Sequence, residues 1–140
     1  MIYLIDTNVV SELRKSGTPK IDRHVYRWAR NISAADMFLS SISVLELELG
    51  VLLLERRDSA QGRILRTWME DRVLPSFTGR ILPVDARVAR RAAALHVPNP
   101  CSHRGAMIAA TALVHGMTVV TRNTADFVHA GVSLLNPWRT

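Results

Sequence analysis

One stretch of this chain restricts its fold more than any other. Ser102 precedes a small-residue run, Ala106–Ala112, which is followed by Gly116 and then by Thr118–Thr121. Ser102 predicts an N-cap for a helix over Arg104–His115, and Gly116 is the residue type that closes a helix in a left-handed turn. Thr118–Thr121 is short and β-branched, as a buried strand requires. The same alternation recurs along the chain. Strands are predicted at Tyr3–Ile5, Met37–Ser40, Arg80–Pro83 and Val132–Leu135. Helices are predicted at Val9–Lys15, Ile21–Asn31, Ile42–Arg57, Ser59–Leu74 and Ala86–His96, with a short turn or helix at Asn123–His129. Strands alternating with helices predict an α/β fold with a mainly parallel sheet. Sites in such sheets form beyond the carboxyl ends of the strands. Asp6 stands at one such end, and Thr121–Asp126 lies just past another.

At 140 residues the chain reads as one domain, residues 1–140, with enough length to bury a core. Hydrophobic residues at 48% and charged residues at 21% match a water-soluble globular protein. No apolar run reaches the roughly 18 residues that a membrane span needs, so no membrane partner is expected. The opening MIYLIDTN has no basic region before its apolar run, which disfavours a signal peptide. Cys101 is the lone cysteine, and this fits a reducing, cytoplasmic setting. The net charge is +6, and 16 of the 18 basic residues are Arg. Arg pairs bidentately with phosphate or carboxylate, so nucleic acid or an acidic protein segment is the expected partner class, although scattered Arg is also an ordinary solvated surface.

Three carboxylates stand out. Asp6 ends a strand and opens a helix; its plain role is an N-cap, and Asn8 reaches the same place. The D-T-N sequence lacks the second Asp that haloacid-dehalogenase-type phosphatases need. Glu46 shares a helical face with Ile42, Leu49, Gly50 and Leu53, whereas Glu48 lies nearly opposite, in line with Glu55. An ionised carboxylate on an apolar face is costly unless paired or bound to a cation, so Glu46 is a candidate functional group. The helix that carries it is apolar almost all round, which places it centrally in the core or at a subunit interface. Asp126 follows the strand Thr118–Thr121, where Thr121 and Asn123 add a hydroxyl and an amide; a plain Asn/Asp turn is the alternative. Asp85 reads as a simple N-cap. The five histidines show no metal-ligand spacing.

Taken together, IDTNV at Ile5–Val9, SVLELELG at Ser43–Gly50 and RGAMIAATALVHGMTVVTRNTADF at Arg104–Phe127 resemble PIN-domain ribonucleases of the VapC/FitB toxin type. Their C-terminal signature usually reads DAxIAATAxxxGxxxxTxNxxDF. The match runs along essentially the whole chain. The resemblance implies a three-layer α/β/α sandwich around a central, mainly parallel sheet. It implies an acidic cluster holding Mg²⁺ or Mn²⁺ and hydrolysis of RNA phosphodiesters by a metal-activated water. It also implies a cognate VapB/FitA-like antitoxin as partner, with a tail that brings an amphipathic helix to a hydrophobic groove and a basic residue to the acidic site; the helices Val9–Lys15 and Ile42–Arg57 are the candidates for that groove. A homodimer is the usual toxin unit. Asp6, Glu46 and Asp126 match the first, second and fourth acids, and Thr121 and Asn123 match the polar helpers.

The third acid of that pattern falls at Gly105, which has no side-chain oxygen. Divalent metal in such a site stabilises the phosphorane-like transition state and supplies hydroxide at neutral pH, and carboxylate oxygens hold it. With Gly105 the expectation is weaker metal binding and impaired cleavage. Arg104 and Asn8 remain candidate phosphate contacts beside a helix N-terminus. Gly105 is either natural or a single Asp→Gly change selected because an active ribonuclease harms its host. The alternative function is a non-catalytic module that binds RNA or an antitoxin tail.

Overall fold

The computed structural model describes residues 1–140. Five short parallel strands form one sheet: β1 Tyr3–Ile5, β2 Met37–Ser40, β3 Ile81–Leu82, β4 Thr118–Val120 and β5 Leu134–Leu135. Their order is β3-β2-β1-β4-β5. Seven helices join them: α1 Thr7–Leu13, α2 Arg23–Arg30, α3 Ser41–Arg57, α4 Ser59–Trp68, α5 Leu74–Ser76, α6 Ala86–Ala94 and α7 His103–His115.

Alternation along β1 creates the layers. Tyr3 and Ile5 pack on one side of the sheet with Val9, Val10, Trp28, Leu47 and Val51 from α1, α2 and α3. Leu4 faces the other side, against Ile108, Ala109 and Ala112 of α7. Successive strand residues point to opposite faces, so a strand covered on both sides is apolar throughout. Helix α7 is itself sandwiched, because Ala106 and Ala110 meet Val88 and Ala92 of α6. Its run of alanines keeps α7 thin enough to fit between sheet and α6. The result is the expected three-layer α/β/α sandwich.

The caps follow the sequence. Ser40 accepts from the Ile42 N–H, Asp85 from Val88 N–H and Ser102 from Gly105 N–H. Gly116 closes α7 at φ 66°, a conformation that Gly adopts without a Cβ penalty. Two expectations need correction. The predicted helix Ser59–Leu74 is not continuous: α4 stops at Trp68, and a π-turn over Met69–Val73 follows, with the Leu74 N–H donating to the Met69 carbonyl. Pro75 has no N–H for the carbonyl four residues back and its ring crowds that carbonyl, so the helix widens there. Second, of the two placements expected for α3, the core or a subunit interface, the central one does not hold. It buries one narrow stripe, Ser43, Leu47 and Val51, while Leu45, Leu49, Leu52 and Leu53 are exposed. No helix is long and apolar enough to cross a membrane.

Candidate functional site

The strand order reverses direction between β1 and β4, so the crossovers leave these two strands on opposite sides of the sheet and open a crevice at their carboxyl ends. Register sets what stands there. Ile5 pairs with Val120, and the Asp6 N–H continues the ladder to the Val120 carbonyl at 2.9 Å. Asp6 and Thr121 therefore sit side by side, each one residue past its strand. Helix α3 starts directly from β2, which brings Glu46 to the same end after one and a half turns.

Asp6 is fully buried, and its carboxylate is saturated. One oxygen, Oδ1, accepts from the Thr7 N–H at 2.8 Å and from Arg104 Nη2 at 2.5 Å. The other, Oδ2, accepts from Thr121 Oγ1 at 2.8 Å and Asn8 Nδ2 at 3.4 Å. A carboxylate offers about four lone-pair sites, and all are taken. Glu46 is partly exposed. Its Oε1 accepts from Thr7 Oγ1 at 2.7 Å, and its Oε2 accepts from Arg104 Nε. Arg104 thus bridges the two acids through the Nε and Nη2 positions of one guanidinium. Burial is the largest influence on the Arg104 pKa and opposes its charge; the Glu46 hydrogen bond and the Asp6 and Glu46 charges outweigh it, holding the pKa above the ordinary arginine value.

Several predicted residues are placed otherwise than expected. The case for Glu46 rested on an apolar, buried face, yet Leu49, Gly50 and Leu53 are exposed. Glu46 stands at the rim of that face, and its partners, not its burial, tie it to the crevice. Asp126 lies on the 3-10 turn Thr124–Asp126, exposed, with no ion pair or side-chain hydrogen bond to Asp6 or Glu46. Asp6 and Glu46 already exceed the single Arg104 charge by one, and like charge favours leaving Asp126 in solvent. Asn123 reaches the crevice through its backbone N–H, which donates to Thr121 Oγ1 at 3.0 Å. Asn8, read as a phosphate contact, is engaged internally: besides Asp6 it donates to Thr121 Oγ1 at 3.3 Å and accepts from the Arg122 N–H at 3.2 Å. Arg104, the other phosphate candidate, is held by carboxylates. The Gly105 N–H is capped by Ser102 and is not free for an anion. Thr7 has no assigned role in the sequence reading, yet it joins the two acids, its N–H donating to Asp6 Oδ1 and its hydroxyl to Glu46 Oε1; its place inside D-T-N was the available signal.

Arg104, Gly105, Ser102 and Asp126 line one cavity of about 370 Å³ beside the crevice. A Cβ at Gly105 would lie 3.3 Å from Ser102 Oγ and about 4.0 Å from its Cβ, so a side chain fits there if the Ser102 hydroxyl gives slightly. The donor set as it stands does not fit a divalent ion. Mg²⁺ demands several oxygen ligands in near-octahedral geometry. No group of three or more His, Cys, Asp or Glu is placed to hold a metal. The two acids that do meet are joined by a cation already, and no Asp6 lone pair is free.

An α/β sandwich with an acidic pair at the switch point of a 3-2-1-4-5 parallel sheet defines a class, and similarity identifies it. The PIN domain family matches residues 3–132. Toxin FitB of Neisseria gonorrhoeae is 40% identical over 143 residues, covering 98% of this chain and 99% of that protein. VapC ribonuclease Y4jK of Sinorhizobium fredii is 37% identical over 145 residues, covering 98% of each. The crystal structure of FitAcB from Neisseria gonorrhoeae overlays with a TM-score of 0.89 at 37% identity, covering 99% of this chain and 100% of that one. The chain belongs to the PIN-domain family, in its VapC/FitB toxin branch.

Proposed function

We propose that this chain is the toxin of a toxin–antitoxin pair, built as an endoribonuclease that hydrolyses RNA phosphodiesters, and that Gly105 leaves its hydrolysis impaired. The observation that carries the reading is the Asp6–Glu46 pair at the switch point, one acid short at the adjacent turn of α7. The relatives named as toxin and as VapC ribonuclease support the class. Mg²⁺ or Mn²⁺ is the proposed cofactor of the pocket once a carboxylate is restored at position 105. Asp126 lines the same cavity as Gly105 and is the proposed further acid of that restored set. The Gly105→Asp variant is expected to cut RNA only with Mg²⁺ or Mn²⁺, and Asp6→Ala in that background is expected to abolish cutting. A Gly105→Asp protein that folds, binds metal and cleaves no member of a broad RNA panel overturns the reading.

A cognate VapB/FitA-like antitoxin is the proposed protein partner, and the cytoplasm the proposed location. An apolar groove of about 740 Å³ supports the former, lined by Val10, Leu13, Met37, Trp68, Val73 and Phe77 and suited to an amphipathic helix. Of the two helices expected to form this groove, α1 contributes and α3 does not. The exposed leucines of α3 form a separate face, which suits a homodimer contact. One observation favours the second reading, a module that binds RNA or antitoxin without cutting: Arg104 fills the acidic pair of the present chain. Under that reading the Gly105→Asp variant stays inert while antitoxin binding persists.

A further inference from the structure

We infer that Arg104 is the resident cation of this pocket, a latch within the chain that bridges Asp6 and Glu46 and keeps a divalent ion out. The inference concerns occupancy of the pocket and stands whether or not the chain cuts RNA.

Three features carry it. Asp6 is fully buried and ionisable, and a buried carboxylate persists only when its charge is matched and its lone pairs are filled. Of its four donors, the Thr7 N–H is fixed in the backbone at the start of α1, and Thr121 and Asn8 hold each other as well as Asp6. Arg104 alone among them brings a charge, and its side chain is about one-third exposed, so it has an outward path to leave by. Its guanidinium also reaches Glu46, so one side chain does for two acids what an ion would otherwise do. Gly105 enters here too. A carboxylate in the next position would place a third negative charge beside the guanidinium and favour a doubly charged ion over a singly charged one. With Gly105 the two acids face one Arg, and the pocket keeps a single net negative charge.

The latch predicts competition. A divalent ion can use Asp6 only by displacing Arg104 Nη2 from Oδ1, which repels it at a few ångströms. Arg104→Gln removes the charge and the bridge while keeping a polar side chain. Mn²⁺ binding, read from loss of the free-ion paramagnetic resonance signal with metal-stripped full-length protein and no RNA, is expected to be at least about ten-fold tighter in Arg104→Gln than in the parent. The Tm of that variant is expected to fall without metal and to recover with added Mn²⁺, because an ion that binds only the folded form stabilises it. Arg104→Lys is expected to keep weak, parent-like Mn²⁺ binding, since a lysine retains the charge that opposes the ion even though it cannot span both acids. Equal Mn²⁺ affinity in parent and Arg104→Gln overturns the latch. A second measurement uses the parent alone: the Arg104 Nε–H resonance is expected to exchange slowly and to stay unmoved under millimolar Mg²⁺. Displacement of that resonance by low-millimolar Mg²⁺ overturns the latch equally. Because neither measurement contains RNA, an inert Gly105→Asp variant bears on the ribonuclease reading and leaves the latch standing.

Discussion

Two of the three glutamates of helix α3, Glu46 and Glu48, stand two residues apart and are each held by an arginine, yet the two clusters differ in kind. Glu46 shares Arg104 with Asp6, which is fully buried. Glu48 shares Arg66 with Glu55 and Glu70, and the four side chains are 26–52% exposed. A step of two residues turns about 200° around a helix, so one cluster faces the crevice and the other faces α4. Exposed ion pairs in water contribute little, typically well under 1 kcal/mol each. The Arg66 cluster is therefore a staple between α3 and α4. In the Arg104 cluster a buried charge makes every partner matter. Burial, and not the residue types, separates a surface staple from a working pocket.

The largest effect should come from the buried member. Asp6→Ala leaves the Thr121 and Asn8 donors and the Arg104 charge without their shared acceptor. A loss of about 3 kcal/mol is expected, read by urea unfolding. A loss below 1 kcal/mol would put the two clusters on a par and break the contrast. A middling effect is expected where α3 meets α4. A Cβ at Gly62 would lie 2.4 Å from the Glu55 Cα, so the two backbones touch there. Gly62→Ala must push the helices apart and is expected to cost about 2–3 kcal/mol by the same assay. A neutral Gly62→Ala would mean that Arg66 and not the close approach holds the pair together. The smallest effect is expected from Arg66→Ala, a loss well below both of the others in the same assay. The Arg66 hydrogen bond holds the Glu48 pKa below the ordinary glutamate value against the opposing effect of desolvation. A depressed carboxylate adds stability above its unfolded pKa and loses it as pH falls through the folded one. The gap between parent and Arg66→Ala should thus be full at neutral pH and close under acid titration below the ordinary glutamate range.

Much of this arrangement was legible in the chain. All five strands were readable because each is a short apolar run beside a capping or turn residue, as Ser40 and Gly116 illustrate. The alignment of Glu48 with Glu55 followed from helical spacing, and Arg66 joins those two. The break after Trp68 was not readable, because Pro75 lies beyond the π-turn that it provokes. The exposed leucines of α3 were not readable either. Spacing tells which residues share a face, while only packing decides which face is covered. At the pocket, the string around Arg104–Phe127 drew attention to position 105 and to Asp126. Pairing of Arg104 with Asp6 and Glu46 depends on contacts 98 and 58 residues apart and left no local trace.

The three residues of β1 have one further consequence. Tyr3 and Ile5 belong to one hydrophobic layer and Leu4 to the other, and the next residue is Asp6. Sliding this strand by one place would swap both layers and drag a carboxylate into hydrocarbon. No mispaired sheet can therefore retain a sound interior while losing the crevice. Any variant that folds with an intact core has already put its first acid in position, whichever residue stands at 105.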